Sequence, residues 1–360
     1  MKAAVFREVN QPMEIEEVPV SKPGPREVLV RTVAAGVCHS DLHFWNGSYP
    51  YPTPAILGHE SAGIVEAVGD MVTYVKPGDH VITCLSAFCG HCEYCLTGHM
   101  SLCQEPELHR GEEEEPRLGN REAPMAQFLN LSSYAEMMLV HEHAIAKIRE
   151  DMPLDRAALI GCGVTTGVGA VFHTAKVEPG TTVAVIGCGG IGLSAINGAA
   201  LAGASRIIAI DMLPSKLELA RKFGATDVVN AKDKDAVGEV MEMTGGGVHY
   251  SFEAIGLKKT AEQSFQMLRP GGTATVIGMI PVGTMVEVHG VELLGEKKLQ
   301  GSNMGSNRFR VDMPRFVDFY MAGKLHLDDM ISSHIKLEDI NDAFRQLETG
   351  EVARNIIMFD

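Results

Sequence analysis

The chain has 360 residues, of which 45% are hydrophobic and 21% are charged, and its formal net charge at pH 7 is −15. This length and balance indicate a folded protein with more than one domain, and they exclude a disordered chain. A surface that binds nucleic-acid phosphates must be basic, so the acidic charge also excludes nucleic acid as an expected partner.

The start of the sequence, residues 1–8, carries no apolar stretch of signal-peptide length, and no uninterrupted apolar segment approaches the length of a membrane span. We therefore expect a cytoplasmic protein with no membrane partner. Because the cytoplasm is reducing, the eight cysteines are expected to be metal ligands or buried apolar residues and not a disulfide framework.

Short β-rich runs separated by glycine and proline occupy the first half of the chain. The strands predicted there are residues 27–34, 62–69 and 81–84. Such runs predict irregular β structure and not a parallel sheet.

A closely spaced set of cysteines follows these strands. Its members, with the spacing C-x2-C-x2-C-x7-C, are Cys89, Cys92, Cys95 and Cys103. Thiolates brought together by chain proximity suit a tetrahedral zinc ion with no open position. We therefore predict a structural zinc lobe at about residues 89–103, with an iron–sulfur cluster as the alternative for such spacing.

From residue 181 onward the sequence alternates between strand and helix patterns. The strand predicted at residues 182–186 is a short apolar run of the buried kind, and further strands are predicted at residues 206–210, 248–253 and 273–278. A helix is predicted at residues 189–202, and Pro214 opens another at a position where proline is tolerated. This alternation predicts a doubly wound parallel sheet of the α/β class. It ends after about residue 303, where the chain is expected to return to the first domain.

A glycine-rich turn, GCGGIG, follows the first of these strands. The glycines expected to contact a cofactor are Gly187, Gly189, Gly190 and Gly192. They permit a tight turn and let backbone N–H groups approach a pyrophosphate at the positive end of the next helix. Asp211 ends the following strand, where its carboxylate can accept hydrogen bonds from ribose hydroxyls and repel a 2′-phosphate. The pattern predicts dinucleotide binding and favours NAD over NADP. Lys216 is either a further ribose contact or a surface lysine.

Other motifs stand in a fixed order along the chain. They are GVCHSD at 36–41, GHE at 58–60, PGDHV at 77–81, GCGVTTG at 161–167 and Arg354 near the end. With the cysteine lobe and the glycine turn, they make the chain resemble the zinc-containing medium-chain alcohol dehydrogenases, of the medium-chain dehydrogenase/reductase superfamily, over essentially its whole length. The resemblance implies a GroES-like, mostly-β catalytic domain at residues 1–163 and 304–360, and a Rossmann NAD-binding domain at residues 164–303.

The resemblance also implies a second metal site, and so two zinc ions per subunit. Cys38, His59 and Cys162 would bind a catalytic zinc whose fourth position stays open. Glu60 would be a carboxylate beside these ligands or an occasional ligand itself, and Asp41 would orient His59.

The implied reaction is the reversible oxidation of a primary or secondary alcohol to an aldehyde or ketone. Hydride would pass to NAD from a zinc alkoxide. A proton relay would run from Ser40, through the cofactor ribose, to His43.

Further cofactor contacts follow from the same resemblance. Thr166, Ile191 and Ile277 fall where the family holds the nicotinamide half of the cofactor. Arg354 matches an arginine that binds the pyrophosphate, and His39 falls at a second phosphate-binding position.

The substrate is expected to be a small molecule. Tyr49, Leu85 and Phe128 fall near positions that line the substrate channel in relatives, and Leu85 in place of an aromatic residue indicates a roomier pocket. By analogy with relatives, we expect a homodimer or a homotetramer.

Other functions fit the same two domains. A zinc-free relative similar to quinone reductases would lack the ligand set found here. A thiol-dependent formaldehyde dehydrogenase, acting on an S-hydroxymethyl adduct, would need an anion-recognising substrate mouth. A catalytically silent binding protein on this scaffold would have no need of Ser40 and His43.

Overall fold

The computed structural model describes residues 1–111, 113–350 and 352–359. The chain divides, over these described residues, into two compact units. The first unit is Met1–Cys162 with Arg308–Asp360, and the second unit is Gly163–Asn307.

The first unit is built mainly from β-strands. Its larger sheet, counted over the described residues, has seven strands: Ile331–Ile335, Arg354–Met358, Glu27–Val37, Glu60–Val68, His80–Thr83, Ile145–Lys147 and, paired with Glu27–Val37, Met137–His141. A smaller sheet contains Glu14–Glu17, Lys2–Phe6, Ala55–Ile56 and Ala126–Gln127. Most neighbouring strands run antiparallel, as in the pairing of Glu27–Val37 with Glu60–Val68. The prediction of a mostly-β domain is confirmed.

The strand Glu27–Val37 is the centre of the larger sheet. It pairs with Glu60–Val68, Met137–His141 and Arg354–Met358. Its apolar side chains Val28 and Val30 are fully buried. Because this strand is paired on both sides, the backbone position of the next residue, Cys38, is well fixed.

The helices of the first unit range from single turns to the 13-residue helix Phe309–Met321. The α-helices are His39–Trp45, Glu93–Leu96, Leu154–Leu159, Phe309–Met321 and Ile340–Thr349. The 3-10 turns are Met100–Leu102, Pro106–Leu108, Phe128–Asn130, Glu142–Ala144, Asp328–Met330 and Leu337–Asp339. Ile340–Thr349 buries Ile340, Ala343, Phe344 and Leu347, which share one helical face because of their spacing.

The second unit contains a parallel sheet. Within the described part of the chain it has six strands, in the spatial order Asp227–Asn230, Arg206–Asp211, Thr182–Ile186, Val248–Glu253, Leu268–Val276 and Lys298–Gly301. Numbered along the chain from Thr182, this order is 3-2-1-4-5-6, the arrangement of the Rossmann fold. The prediction of a doubly wound parallel sheet is confirmed.

Helices connect the strands of the second unit. The α-helices are Thr165–Gly169, Gly190–Leu201, Pro214–Lys222, Ala236–Thr244 and Lys258–Gln266. The π-helical segments are Ile160–Val164, which begins in the first unit, and Ala170–Ala175, and the 3-10 turns are Gly290–Gly295 and Met304–Ser306.

The strand predicted at residues 273–278 differs from the observed strand, Leu268–Val276. It ends before residue 277 because the N–H groups of Ile277 and Gly278 both donate to the carbonyl oxygen of Glu253, at 2.8 and 3.0 Å. The bond from Ile277 is the last of the ladder with Val248–Glu253, and the N–H of Gly278 shares its acceptor because that neighbouring strand ends at Glu253. The edge strand Lys298–Gly301 was not predicted, because its residues are mostly exposed and form no apolar run.

Within the described residues, one stretch of helix, Leu154–Ala175, is long and apolar enough to cross a membrane by length and composition. Of its most apolar window, 83% is buried inside the protein. Burial of this extent is typical of a core helix, and Cys162 lies within it.

Candidate active site and metal centres

The side chains of Cys38, His59 and Cys162 meet in the first unit, although they come from distant parts of the chain. One potential ligand atom from each lies within 4.8 Å of the others, and the three residues are only 2%, 1% and 3% exposed. His59 Nε2 is 3.1 Å from Cys162 Sγ. Two sulfurs and one imidazole nitrogen, all buried, form a donor set that zinc prefers.

Asp41 orients the imidazole of His59. Nδ1 of His59 is 2.9 Å from Oδ1 of Asp41, and the N–H of Gly58 donates to the same oxygen at 3.2 Å. Because a carboxylate accepts, Nδ1 carries a proton, and Nε2 on the other side of the ring faces the sulfur of Cys162. The hydroxyl of Tyr134 donates to the other oxygen, Oδ2, at 2.7 Å. The ring of His59 is therefore fixed in orientation, and a metal ion bound at Nε2 would displace any proton there.

The surroundings favour the ionised form of Cys38. The hydrogen bond from Cys162, followed by the positive charges of Arg354 and His59, holds the pKa of the Cys38 thiol well below its usual value. The same sulfur–sulfur contact, together with burial, raises the pKa of Cys162. A divalent cation between the two sulfurs would favour the thiolate of both.

Glu60 and Arg354 form a buried ion pair beside these sulfurs. Arg354 Nε is 2.9 Å from Glu60 Oε1, and Nη2 is 3.2 Å from Oε2 and 3.6 Å from Cys38 Sγ. Burial raises the pKa of Glu60 to about 7, although the charge of Arg354 opposes this. The guanidinium predicted to bind pyrophosphate thus contacts Glu60 and Cys38 here. Its phosphate contact stays a prediction.

The predicted structural lobe brings its four thiols together. Cys89 Sγ is 3.8 Å from Cys95 Sγ, and Cys92 Sγ is 3.9 Å from Cys103 Sγ. A tetrahedron with metal–sulfur distances of about 2.3 Å has edges of about 3.8 Å, so the thiols fit a single ion. All eight cysteines, each within the described part of the chain, are free of disulfide bonds.

The glycine turn of the second unit leads into the helix Gly190–Leu201. Gly187 has φ of +93°, and a Cβ on Gly192 would lie 1.7 Å from the carbonyl oxygen of Gly187. The carboxylate of Asp211 accepts from the N–H of Cys188 at 2.8 Å and from that of Leu213 at 3.0 Å. Asp211 is thereby fixed beside the turn, and Lys216 lies on the next helix, Pro214–Lys222.

Glu253, which the sequence analysis did not select, organises the ends of two strands. Its carbonyl accepts from Ile277 and Gly278, and its side-chain Oε1 accepts from the N–H groups of Ile255 and Gly256 at 3.0 and 2.8 Å. Thr166 is one of the residues predicted to contact the cofactor. It is buried, and its hydroxyl donates to Met304 Sδ at 3.3 Å.

Comparison with known proteins identifies the family. The model of the alcohol dehydrogenase GroES-like domain matches residues 24–150, and that of the zinc-binding dehydrogenase matches residues 190–320. The chain is 38% identical to alcohol dehydrogenase class-3 of Oryza sativa subsp. japonica, over 100% of this chain and 97% of that protein. The chain belongs to the zinc-containing medium-chain alcohol dehydrogenase family.

Solved structures agree with this assignment. The dehydrogenase resembles the crystal structure of benzyl alcohol dehydrogenase from Acinetobacter calcoaceticus, with a TM-score of 0.94 and 34% identity over 100% of this chain and 99% of that chain. An alcohol dehydrogenase zinc-binding domain protein from Burkholderia ambifaria gives a TM-score of 0.94 at 36% identity, over 100% and 98% of the chains. The predicted family and enzyme class are confirmed: this is an NAD(P)-dependent oxidoreductase of the alcohol dehydrogenase type.

The residues predicted for proton transfer in this dehydrogenase lie on the helix His39–Trp45. Ser40 and His43 are three positions apart and share a face of that helix. Burial lowers the pKa of His43 by more than the charge of Cys38 raises it, so the imidazole is neutral at pH 7 and can accept a proton. His39 is exposed, and its ring centre lies 5.2 Å from that of His43.

The three residues predicted to line the substrate channel do not all lie in the same surroundings. The ring of Phe128 is fully buried and lies 6.0 Å from that of His59. Tyr49 lies 6.2 Å from His43. Leu85 instead packs against an apolar cluster that contains Val28 and other strand residues of the larger sheet.

Aromatic residues that the sequence analysis missed surround Phe128 in the dehydrogenase. Its ring contacts those of Phe44 and Tyr51 at 4.8 and 5.0 Å. Phe44 and Tyr51 belong to no motif with a distinctive spacing, so the sequence alone did not indicate that they lie against Phe128.

Proposed function

We propose that this chain is a zinc-dependent, NAD-linked alcohol dehydrogenase that interconverts alcohols with aldehydes or ketones. The observation that carries the proposal is the buried cluster of Cys38, His59 and Cys162. The aromatic side chains around Phe128, and the similarity to a benzyl alcohol dehydrogenase, support primary aromatic alcohols as the substrate class.

In this proposal the thiolates of Cys38 and Cys162 and Nε2 of His59 hold the zinc ion. Bound there, zinc supplies a Lewis acid that lowers the pKa of an alcohol hydroxyl and polarises a carbonyl oxygen. Asp41 keeps the imidazole in the required tautomer, and the guanidinium of Arg354, held by Glu60, places positive charge beside the Cys38 sulfur.

The chain supplies its own groups for proton movement. The hydroxyl of Ser40 accepts the proton of the substrate alcohol as it passes its own proton onward. His43, neutral and half-buried, takes up that proton and releases it to solvent. The same groups return the proton when a carbonyl compound is reduced.

The cofactor would be held by the second unit. The N–H groups of the glycine turn and the start of the helix Gly190–Leu201 bind the pyrophosphate, and Asp211 binds the adenosine ribose. Thr166 and Ile277 would contact the nicotinamide, which accepts hydride when the cofactor is bound. A second zinc ion, with a structural role, would be held by the thiols of Cys89, Cys92, Cys95 and Cys103.

A substrate panel tests the reaction. Reduced-cofactor absorbance should rise with benzyl alcohol and other primary aromatic alcohols, and a chelator that removes zinc should abolish the rise. Formaldehyde with and without glutathione belongs in the same panel. Turnover confined to formaldehyde plus glutathione would show that the substrate is a thiol adduct and not a free alcohol. Turnover unchanged after metal removal would contradict zinc dependence.

Replacing Asp211 with alanine is expected to relax the choice of cofactor. Without the carboxylate, the 2′-phosphate of NADP meets no repulsion, and the ribose of NAD loses its acceptor. We expect the ratio of kcat/KM for NAD to that for NADP to fall by about 10- to 100-fold. Asp233→Ala, at an exposed aspartate of the same unit, is the control. An unchanged ratio in Asp211→Ala would exclude the ribose contact.

We also propose that the dehydrogenase is a homo-oligomer. Large apolar side chains are exposed in the segment of the chain that leads to the edge strand Lys298–Gly301, among them Leu294 at 86% and Met285 at 75%. Exposed apolar surface beside the open side of an edge strand is typical of an interface. Light scattering should give a mass two or four times that of one chain, and Leu294→Asp should lower it. A wild-type mass equal to one chain would contradict this.

A further inference from the structure

Tyr134 makes a buried hydrogen bond behind the candidate zinc site. It is 0% exposed, and its hydroxyl donates to Asp41 Oδ2 at 2.7 Å. The other oxygen of Asp41 accepts from Gly58 and His59. The phenol therefore occupies the side of the carboxylate that faces away from the ligand imidazole.

The position of Tyr134 is coupled to the segment that carries His59. The N–H of Tyr134 donates to the carbonyl of Leu57 at 3.1 Å, and that of Ser133 donates to the carbonyl of Gly58 at 3.0 Å. Gly58 has φ of +91°, and a Cβ there would lie 2.6 Å from the ring atom Cδ1 of Tyr134. The missing side chain of Gly58 thus lets the phenol ring lie against the backbone next to His59.

We propose that Tyr134 is a positioning residue for the zinc ligand His59, acting through Asp41. This inference rests on the proposed zinc-dependent function. A carboxylate bonded at both oxygens cannot rotate about its Cβ–Cγ bond, so Oδ1 stays aligned with the N–H of His59. Loss of the phenolic donor leaves a charged oxygen buried without this bond, which favours rotation of Asp41 and loosens the imidazole.

Tyr134→Phe tests this with the ring and its packing kept. We expect zinc to leave the catalytic site about tenfold faster in the presence of a chelator, because partners behind a metal ligand affect metal affinity on this scale. With cobalt in that site, the visible d–d bands should shift. The midpoint of heat unfolding should change little. Tyr74→Phe is the control, since it removes a phenolic hydroxyl that accepts from the N–H of Lys147. This variant should keep the wild-type rate of zinc release and the wild-type cobalt spectrum.

A double-mutant cycle shows whether Tyr134 acts through Asp41. Asp41→Asn alone should accelerate zinc release, and adding Tyr134→Phe to it should accelerate release by less than about twofold more, because both changes act on the same chain of bonds from Tyr134 through Asp41 to His59. This comparison remains informative if Tyr134→Phe lowers heat stability. Independent, multiplying effects would overturn the proposal.

The failures of the two proposals are distinguishable. A wild-type protein that binds cobalt without thiolate charge-transfer absorption from Cys38 and Cys162 would contradict the proposed zinc site itself. A wild-type protein with that absorption, whose Tyr134→Phe variant keeps the cobalt spectrum and the zinc release rate, would overturn the role of Tyr134 alone.

Discussion

Cys38→Ala and Cys162→Ala are each expected to lower kcat by about 10³-fold or more, because a Lewis acid contributes several kcal/mol to the barrier and each 1.36 kcal/mol is about tenfold in rate. Each variant removes one thiolate of a three-ligand site. Cofactor affinity should change little, since the glycine turn and Asp211 belong to the second unit. Steady-state kinetics, metal analysis and titration of the fluorescence of reduced cofactor measure the three quantities.

Cys84→Ala is the matched control for these variants. Cys84 is fully buried and belongs to none of the clusters of potential metal ligands found among the described residues, and burial raises the pKa of its thiol to about 12. Such a thiol is not ionised at pH 7 and does not favour metal binding. We expect wild-type zinc content and kcat in this variant. Wild-type turnover in Cys38→Ala, with a chelator removing any loosely bound metal, would exclude the catalytic zinc assignment.

Cys92→Ala is expected to destabilise the fold more than any other single change considered. Metal binding at a closed site contributes directly to folding, and the loss of one of four thiolates should cost roughly 5 kcal/mol, or about 10–20 °C in the midpoint of heat unfolding. Heat unfolding followed by circular dichroism, with metal analysis of the folded protein, measures this.

The control again uses Cys84→Ala, which removes a sulfur from a buried site without removing a metal. Its expected cost is about 1 kcal/mol. A Cys92→Ala protein that has lost one zinc per chain and unfolds at the wild-type temperature would show that the lobe is not a structural metal site.

The sequence predicted the second unit best where the signal is local. The strands Thr182–Ile186 and Val248–Glu253 begin and end at the predicted residues. Thr182–Ile186 carries the unbroken apolar run that is typical of a strand buried on both faces. Lys298–Gly301 carries no such run, since an edge strand is exposed. The premature end of Leu268–Val276 depends on bonds to Glu253, which lies on another strand and is invisible to a local pattern.

The residues of the candidate site also differ in how well the sequence predicted them, according to their separation along the chain. Spacing alone pointed to the four-cysteine lobe, because its ligands are neighbours in the chain. It could not have found Cys38, His59 and Cys162, which only the family resemblance indicated. The bond between Tyr134 and Asp41 joins residues 93 positions apart, and no motif in the chain connects them. Contacts of this kind depend on the completed sheet.

The different separations of the two ligand sets have a consequence for the order of events as the chain is made. Cys89 and Cys103 are 14 positions apart, so closing that loop costs little chain entropy, and a nascent lobe can capture its ion early. His59 and Cys162 are 103 positions apart and meet only after the strands between them have assembled. An ion at the catalytic cluster therefore marks the end of folding of the first unit, whereas an ion in the lobe marks its beginning.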